Sequence, residues 1–153
     1  MLADALIEMI ATSDVADDLD TYQLDDDEQA YPAVFHTIAP PDADLTKGLV
    51  LVEDAGGDTR DVDAGSPTFR MMASVMLAGP RDYRRSRLMQ VAARLHRALH
   101  RQTPANIYGT DYRWVKGSLL AQPPRQMGTD EEGFPVIEIA VEAILDVEGE
   151  ANE

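Results

Sequence analysis

PTFRMMASVMLAGPRDYRRSRLMQVAARLHRALHRQ, residues 67–102, is the stretch on which the fold turns. Its first part alternates. Phe69, Met71, Ala73, Val75 and Leu77 fall on one face of an extended chain, and Thr68, Arg70, Met72, Ser74 and Met76 fall on the other. This predicts a long strand with one apolar and one mixed face, the mixed face partly covered because it carries Met72 and Met76. Gly79–Pro80 ends the strand, and the period then becomes helical, from near Asp82 to Thr103–Pro104. At 100° per residue, Leu88, Val91, Ala92, Leu95, Ala98 and Leu99 form a stripe roughly 120° wide, the expected core face. Arg87, Arg94, Arg97 and Arg101 form a second stripe on one flank, with His96 and His100 on the other.

Outward from this unit, FPVIEIAVEAILDV predicts a last strand. Ile137, Ile139, Val141, Ala143, Leu145 and Val147 face one side, and Glu138, Ala140, Glu142 and Asp146 the other. Between helix and last strand, NIYGTDYRWVKGSLLAQPP reads as two short strands or one interrupted strand, and QMGTDEEG as an acidic loop. Upstream, GLVLVEDAGG reads as a buried strand closed by a glycine turn. Val34 and Phe35 begin another strand, and Pro40–Pro41 breaks the chain. Leu2, Ala5, Leu6, Met9 and Ile10 recur at helical spacing over residues 2–11. The expected fold is α+β: an antiparallel sheet of long strands with one long helix packed on it and a short N-terminal helix. With 153 residues, a single domain is expected, with an acidic loop at 12–30 and a frayed tail at 148–153.

The formal charge is −15, yet seven of the 13 basic residues lie between Arg81 and Arg101. Residues 1–63 carry 17 acids against 2 bases, residues 81–125 carry 10 bases against 2 acids, and residues 126–153 carry 9 acids and no base. Such segregation fits opposite faces that meet between subunits; the alternative is acidic loops that solvate the surface. Of the bases, 11 are arginine, whose planar fork suits carboxylate pairing. Three readings of the stripe compete. It docks on an acidic surface of a neighbouring copy, with Glu138 and Glu142 as candidate acids. It is a solvated flank with local ion pairs worth at most about 1 kcal/mol each. Or it tracks nucleic-acid phosphates, against which the net charge argues.

Signals for chemistry are few. The absence of cysteine excludes disulfides, thiolate metal sites and a cysteine nucleophile. No apolar run reaches the roughly 18 residues of a membrane helix. MLADALIEMIA lacks the basic start of a secretory signal, so a chain working without export of its own is expected. His96 and His100 have a zinc-compatible spacing, but Arg97 stands where a zinc protease has its Glu. Neither the acidic stretch of Asp17, Asp18, Asp20 and the run Asp25–Glu28 nor Asp61 and Asp63 in DVDAG fit a calcium loop; Met72 would occupy the final ligand position of the second. A solvated linker or loose strand pair is the expectation for the first. Phosphate loops, dinucleotide fingerprints and nucleophile elbows are missing. Lone His36 reads as a packed residue. No enzymatic activity, metal or cofactor is expected, and a hydrolase with an unrecognised carboxylate site is the distant rival.

The order of these elements carries a resemblance. A short N-terminal helix precedes an "AP" element (Ala39–Pro40), an apolar strand (Leu49–Val52), a long alternating strand (Thr68–Ala78), an amphipathic helix containing A-x-x-L-x-x-x-L (Ala92–Leu99), a polar hairpin region and a last strand (Val136–Val147). This resembles the tail terminator, or tail completion, proteins of long-tailed bacteriophages, across nearly the whole chain; the acidic stretch 12–30 and TKGLVLVEDAGG depart from the pattern. The resemblance implies a virion protein made in the host cytoplasm that forms a ring, usually of six copies. Such a ring terminates the tail tube, joins it to the head connector and lets DNA pass without specific binding. A head completion or connector ring of the neck is the close alternative. Rings need heterologous interfaces, for which segregated charge is suited, with Arg87, Arg94, Arg97, Arg101, Glu138 and Glu142 as the candidate interface residues.

Overall fold

The computed structural model describes residues 2–23, 29–39, 45–60, 68–105 and 112–147. In chain order these form α1 (Leu2–Ala11), a 3-10 turn (Asp14–Asp18), β1 (Thr21–Gln23), β2 (Ala30–Pro32), β3 (Val34–His36), β4 (Leu49–Arg60), β5 (Thr68–Ala78), α2 (Arg85–Leu99), β6 (Tyr112–Trp114), β7 (Leu120–Ala121), β8 (Arg125–Thr129) and β9 (Pro135–Val147). The expected α+β class holds, with a mostly antiparallel sheet under two helices. The sheet runs β3-β4-β5-β9, and the far edge of β9 is shared by β6, β7 and β8. β3 pairs parallel with β4, while β1 and β2 form a separate antiparallel pair.

Register makes the two faces. Val52, Val75 and Ile139 stand side by side across β4, β5 and β9, all fully or nearly fully buried under the helices. The adjoining row, Leu51, Met76 and Glu138, faces away. Because the side-chain period is two, a one-residue slip would expose the whole apolar set, so the core pattern fixes the pairing. From above, α1 contributes Leu2, Leu6 and Ile10, and α2 contributes Leu88, Val91, Ala92, Leu95 and Leu99. These are the residues of the predicted stripe except Ala98, which is partly buried. Fully burying each leucine contributes about 1.5–3 kcal/mol.

Four boundaries differ from the sequence reading. Gly56–Gly57 does not end β4; the strand continues to Arg60 through a register shift between Asp54 and Gly57. Gly56 takes a φ of 96°, and this left-handed backbone makes a bulge possible without breaking the strand. The QMGTDEEG segment is not a loop throughout: β8 pairs with β9 up to Thr129 and Pro135, and only Asp130–Gly133 turns. Helix α2 starts at Arg85 rather than near Asp82, because the Tyr83 N–H first closes a turn on the Pro80 carbonyl. It stops at Leu99, short of Thr103, because Arg101 adopts a φ of 66° and its N–H donates to the Leu119 carbonyl at 2.7 Å. NIYGTDYRWVKGSLLAQPP yields two short strands, β6 and β7, one of the two expected outcomes. The Asp25–Glu28 run, Pro40–Pro41, the DVDAG carboxylates and the tail at 148–153 lie outside the described residues.

Candidate subunit interface

The acidic segment after α1 is where the arginine stripe finds its first partner. Val15 and Leu19, four apart, are buried and draw the 3-10 turn against α1 and α2. Between them Asp18 is held at 8% exposure. Its Oδ1 accepts from Arg87 Nη2 at 3.2 Å, and its Oδ2 accepts from Arg94 Nη1. Arg94 also donates from Nη2 to the Asp14 carbonyl at 3.4 Å. One buried carboxylate thus bridges two arginines seven positions apart, about two helical turns, on the same flank. Both guanidinium groups remain roughly half exposed, 49% for Arg87 and 43% for Arg94, so water still solvates them.

Asp20, two residues on, anchors this segment to the sheet. At 7% exposure, its carboxylate accepts from the backbone N–H groups of Thr46, Lys47 and Gly48, each at 3.0 Å, and from the Thr46 hydroxyl. Burial by itself would raise the Asp20 pKa. The Thr46 hydroxyl and the three N–H donors outweigh it and hold the carboxyl below its ordinary range. Its own backbone joins the same knot: the Asp20 N–H donates to Gly48 and the Asp20 carbonyl accepts from Ala33, both at 2.8 Å. For the acidic stretch that includes Asp18 and Asp20 the sequence predicts a solvated linker or a loose strand pair. The β1–β2 pair is present, but these two acids are buried. The usable signal was the apolar pair Val15 and Leu19 set inside an acidic run.

The other two stripe arginines stand apart. Arg97 is exposed on the rim of a groove of about 450 Å³ between the 3-10 turn and α2, lined also by Thr12, Ser13, Asp14, Val15, Arg94, Ala98 and Gln102. Arg101 is exposed at the left-handed position just past the helix end. Neither has an ion-pair partner among the described residues. Lys116, likewise exposed and unpaired, sits on the turn that closes against them: the Leu119 N–H donates to Gln102 at 3.1 Å and the Gly117 N–H donates to Thr103 Oγ1 at 2.8 Å.

Glu138 and Glu142 lie on the opposite layer, on the sheet face turned away from both helices. Glu138 accepts from Ser74 Oγ at 3.0 Å and Arg125 Nη2 at 2.9 Å; Glu142 stands 3.7 Å from Arg70 Nη1. A shallow groove of about 260 Å³ runs past them, with Met72, Ala140 and Leu120 on its walls. Within one chain the structure therefore brings Arg87 and Arg94 together on Asp18, and it keeps the Glu138 and Glu142 face apart from the arginine flank.

The two helix histidines grip a backbone. His96 Nε2 donates to the Ala121 carbonyl at 3.0 Å, and the Ala121 N–H donates to His100 Nδ1 at 3.1 Å, with the rings stacked 5.0 Å apart. They fasten β7 to the end of α2, and no cluster able to hold a metal occurs among the described residues. His36, expected to be packed, is half exposed, with Nε2 4.0 Å from Asp54.

No family model and no curated protein matches the chain. Among solved structures it is similar to a chain of one titled "Virion of native gene transfer agent (GTA) particle", with 16% sequence identity over 95% of this chain and 94% of that chain and a TM-score of 0.58. At that identity the likeness establishes a common fold, spanning nearly the full length of both chains.

Proposed function

We propose that this chain is a non-enzymatic structural protein of a phage-like virion that assembles into a ring with copies of itself. In this reading the ring sits at the head-proximal end of a tail, terminates the tail tube and joins it to the head connector. The observation that supports the reading is the fold, which is similar to that of a chain of a gene transfer agent virion over nearly its full length. Charge adds support. Acids dominate both ends of the sequence and bases dominate residues 81–125, an arrangement suited to a head-to-tail contact in which one patch meets a different patch. The interface proposed from the sequence narrows accordingly. Arg87, Arg94, Glu138 and Glu142 already have partners within the chain, which leaves Arg97 and Arg101 as the stripe residues available to a neighbour. The nucleic-acid alternative is weakened for the same reason, since Asp18 engages two of the four stripe arginines and cancels one of their charges. A head completion or connector ring would use the same surfaces, and the phenotype of particles separates the two. Deleting the gene from the producing genome should leave filled heads beside tubes of uncontrolled length if the ring terminates tails, and heads that lose their contents if it completes them. Particles of normal length and infectivity or transfer activity would refute both.

A further inference from the structure

Charged groups with no ion pair among the described residues lie at both ends of α2. We infer that the patch at the C-terminal end of α2, made of Arg97, Arg101 just past the helix and Lys116 on the adjoining turn, receives the acidic tip of the β8–β9 hairpin, Glu131 and Glu132, from the next copy in the ring. This rests on the ring reading above and names the two patches that meet.

Three observations point the same way. First, Arg101 holds a φ of 66° that glycine would adopt without strain, yet its side chain is exposed and unpaired among the described residues. The left-handed turn ends the helix and is fastened through the Arg101 backbone, whose N–H donates to Leu119, so the exposed guanidinium is left for a contact outside the chain. Second, Arg97 lines a groove open enough, at about 450 Å³, to admit a hairpin turn. Asp14 is the acid on that rim, set against the two arginines Arg94 and Arg97. Third, Glu131 and Glu132 are exposed and their carboxylates find no cation among the described residues, although arginines stand close by. Arg81 donates from Nε to the Glu132 carbonyl at 2.7 Å and lies over the Phe134 ring at 4.7 Å. Arg85 lines a small cleft with Gln126 and Gly128 instead. Those contacts place the hairpin beside the start of α2, with no ion pair to its tip carboxylates among the described residues. Asp130 is committed inside the turn, accepting from the Glu132 and Phe134 N–H groups, both at 2.9 Å. Arg85 and Arg97 are twelve positions apart, about 18 Å along the helix. One copy can therefore offer its hairpin and receive another at once, as a heterologous ring contact requires.

The test is a charge exchange on the full chain, read by native mass spectrometry with and without tail tube protein, after circular dichroism shows each variant folded. One variant carries Arg97→Glu and Arg101→Glu; the other carries Glu131→Lys and Glu132→Lys. Each alone should lose assembly by at least about tenfold in concentration, since like charges then face each other. Their equimolar mixture should assemble, with the two variants alternating. Wild-type-like assembly of either folded variant, or failure of the mixture, would overturn this contact while leaving the ring standing. A wild-type chain that never assembles would overturn both.

Discussion

Replacing Asp20 by alanine tests whether the buried acids organise the segment that faces α2. The carboxylate serves four donors, the N–H groups of Thr46, Lys47 and Gly48 and the Thr46 hydroxyl. Thr46 and Lys47 are exposed, so their groups regain water, and losing each bond costs about 0.5–1 kcal/mol. Gly48 is buried, and its orphaned N–H carries the full desolvation cost of about 1–3 kcal/mol. The sum is about 2.5–6 kcal/mol, which for a domain of this size lowers Tm by about 5–20 °C. Asp20→Asn should cost roughly half as much, keeping one acceptor oxygen while presenting an amide donor to the N–H groups. The pH dependence follows in sign. The folded-state pKa of Asp20 lies below the ordinary value of 3.8, so its contribution is complete above that value and is lost as pH falls through the folded pKa. Urea denaturation of wild type and Asp20→Ala at pH 7, repeated stepwise toward pH 2, should show a gap that closes only at the acid end. A gap below about 1 kcal/mol at pH 7, or one independent of pH to the acid limit, would refute the reasoning.

Other outcomes follow from the same contacts. A double-mutant cycle on Asp18→Asn and Arg94→Gln should give a coupling energy of about 1 kcal/mol in thermal or urea unfolding, discounted for the half-exposed guanidinium; additive losses would mean that the pair does not form in solution. Arg101→Gly relieves a left-handed arginine, so it should leave the monomer as stable as wild type or raise stability by up to about 1 kcal/mol while weakening assembly. His100→Ala should destabilise by about 1–2 kcal/mol and speed hydrogen exchange at the Ala121 amide, which loses its acceptor; an unchanged exchange rate there would contradict the clamp.

Most of the fold was legible because two local signals agreed. The alternation in Phe69–Leu77 and Ile137–Leu145 names the core face of both central strands, and the α2 stripe names what covers it. Three things were not legible. Gly56–Gly57 resembles a turn, and only pairing with β5 across ten residue pairs carries the strand through it. The end of α2 depends on Leu119, a residue 18 positions beyond Arg101 that helical periodicity cannot see. The partner of the arginine stripe depends on Asp18, 69 positions before Arg87. Sequence pattern finds which residues are charged and on which flank they lie; tertiary packing determines which charges neutralise each other and which remain for a neighbour.

Native mass spectrometry of the purified wild-type chain, at moderate salt and again with tail tube protein added, bears most directly on the central reading. A closed ring of a single stoichiometry, with six copies as the expected number, is the predicted result. A chain that stays monomeric across concentration, at low and moderate salt, and in the presence of the tube would contradict it.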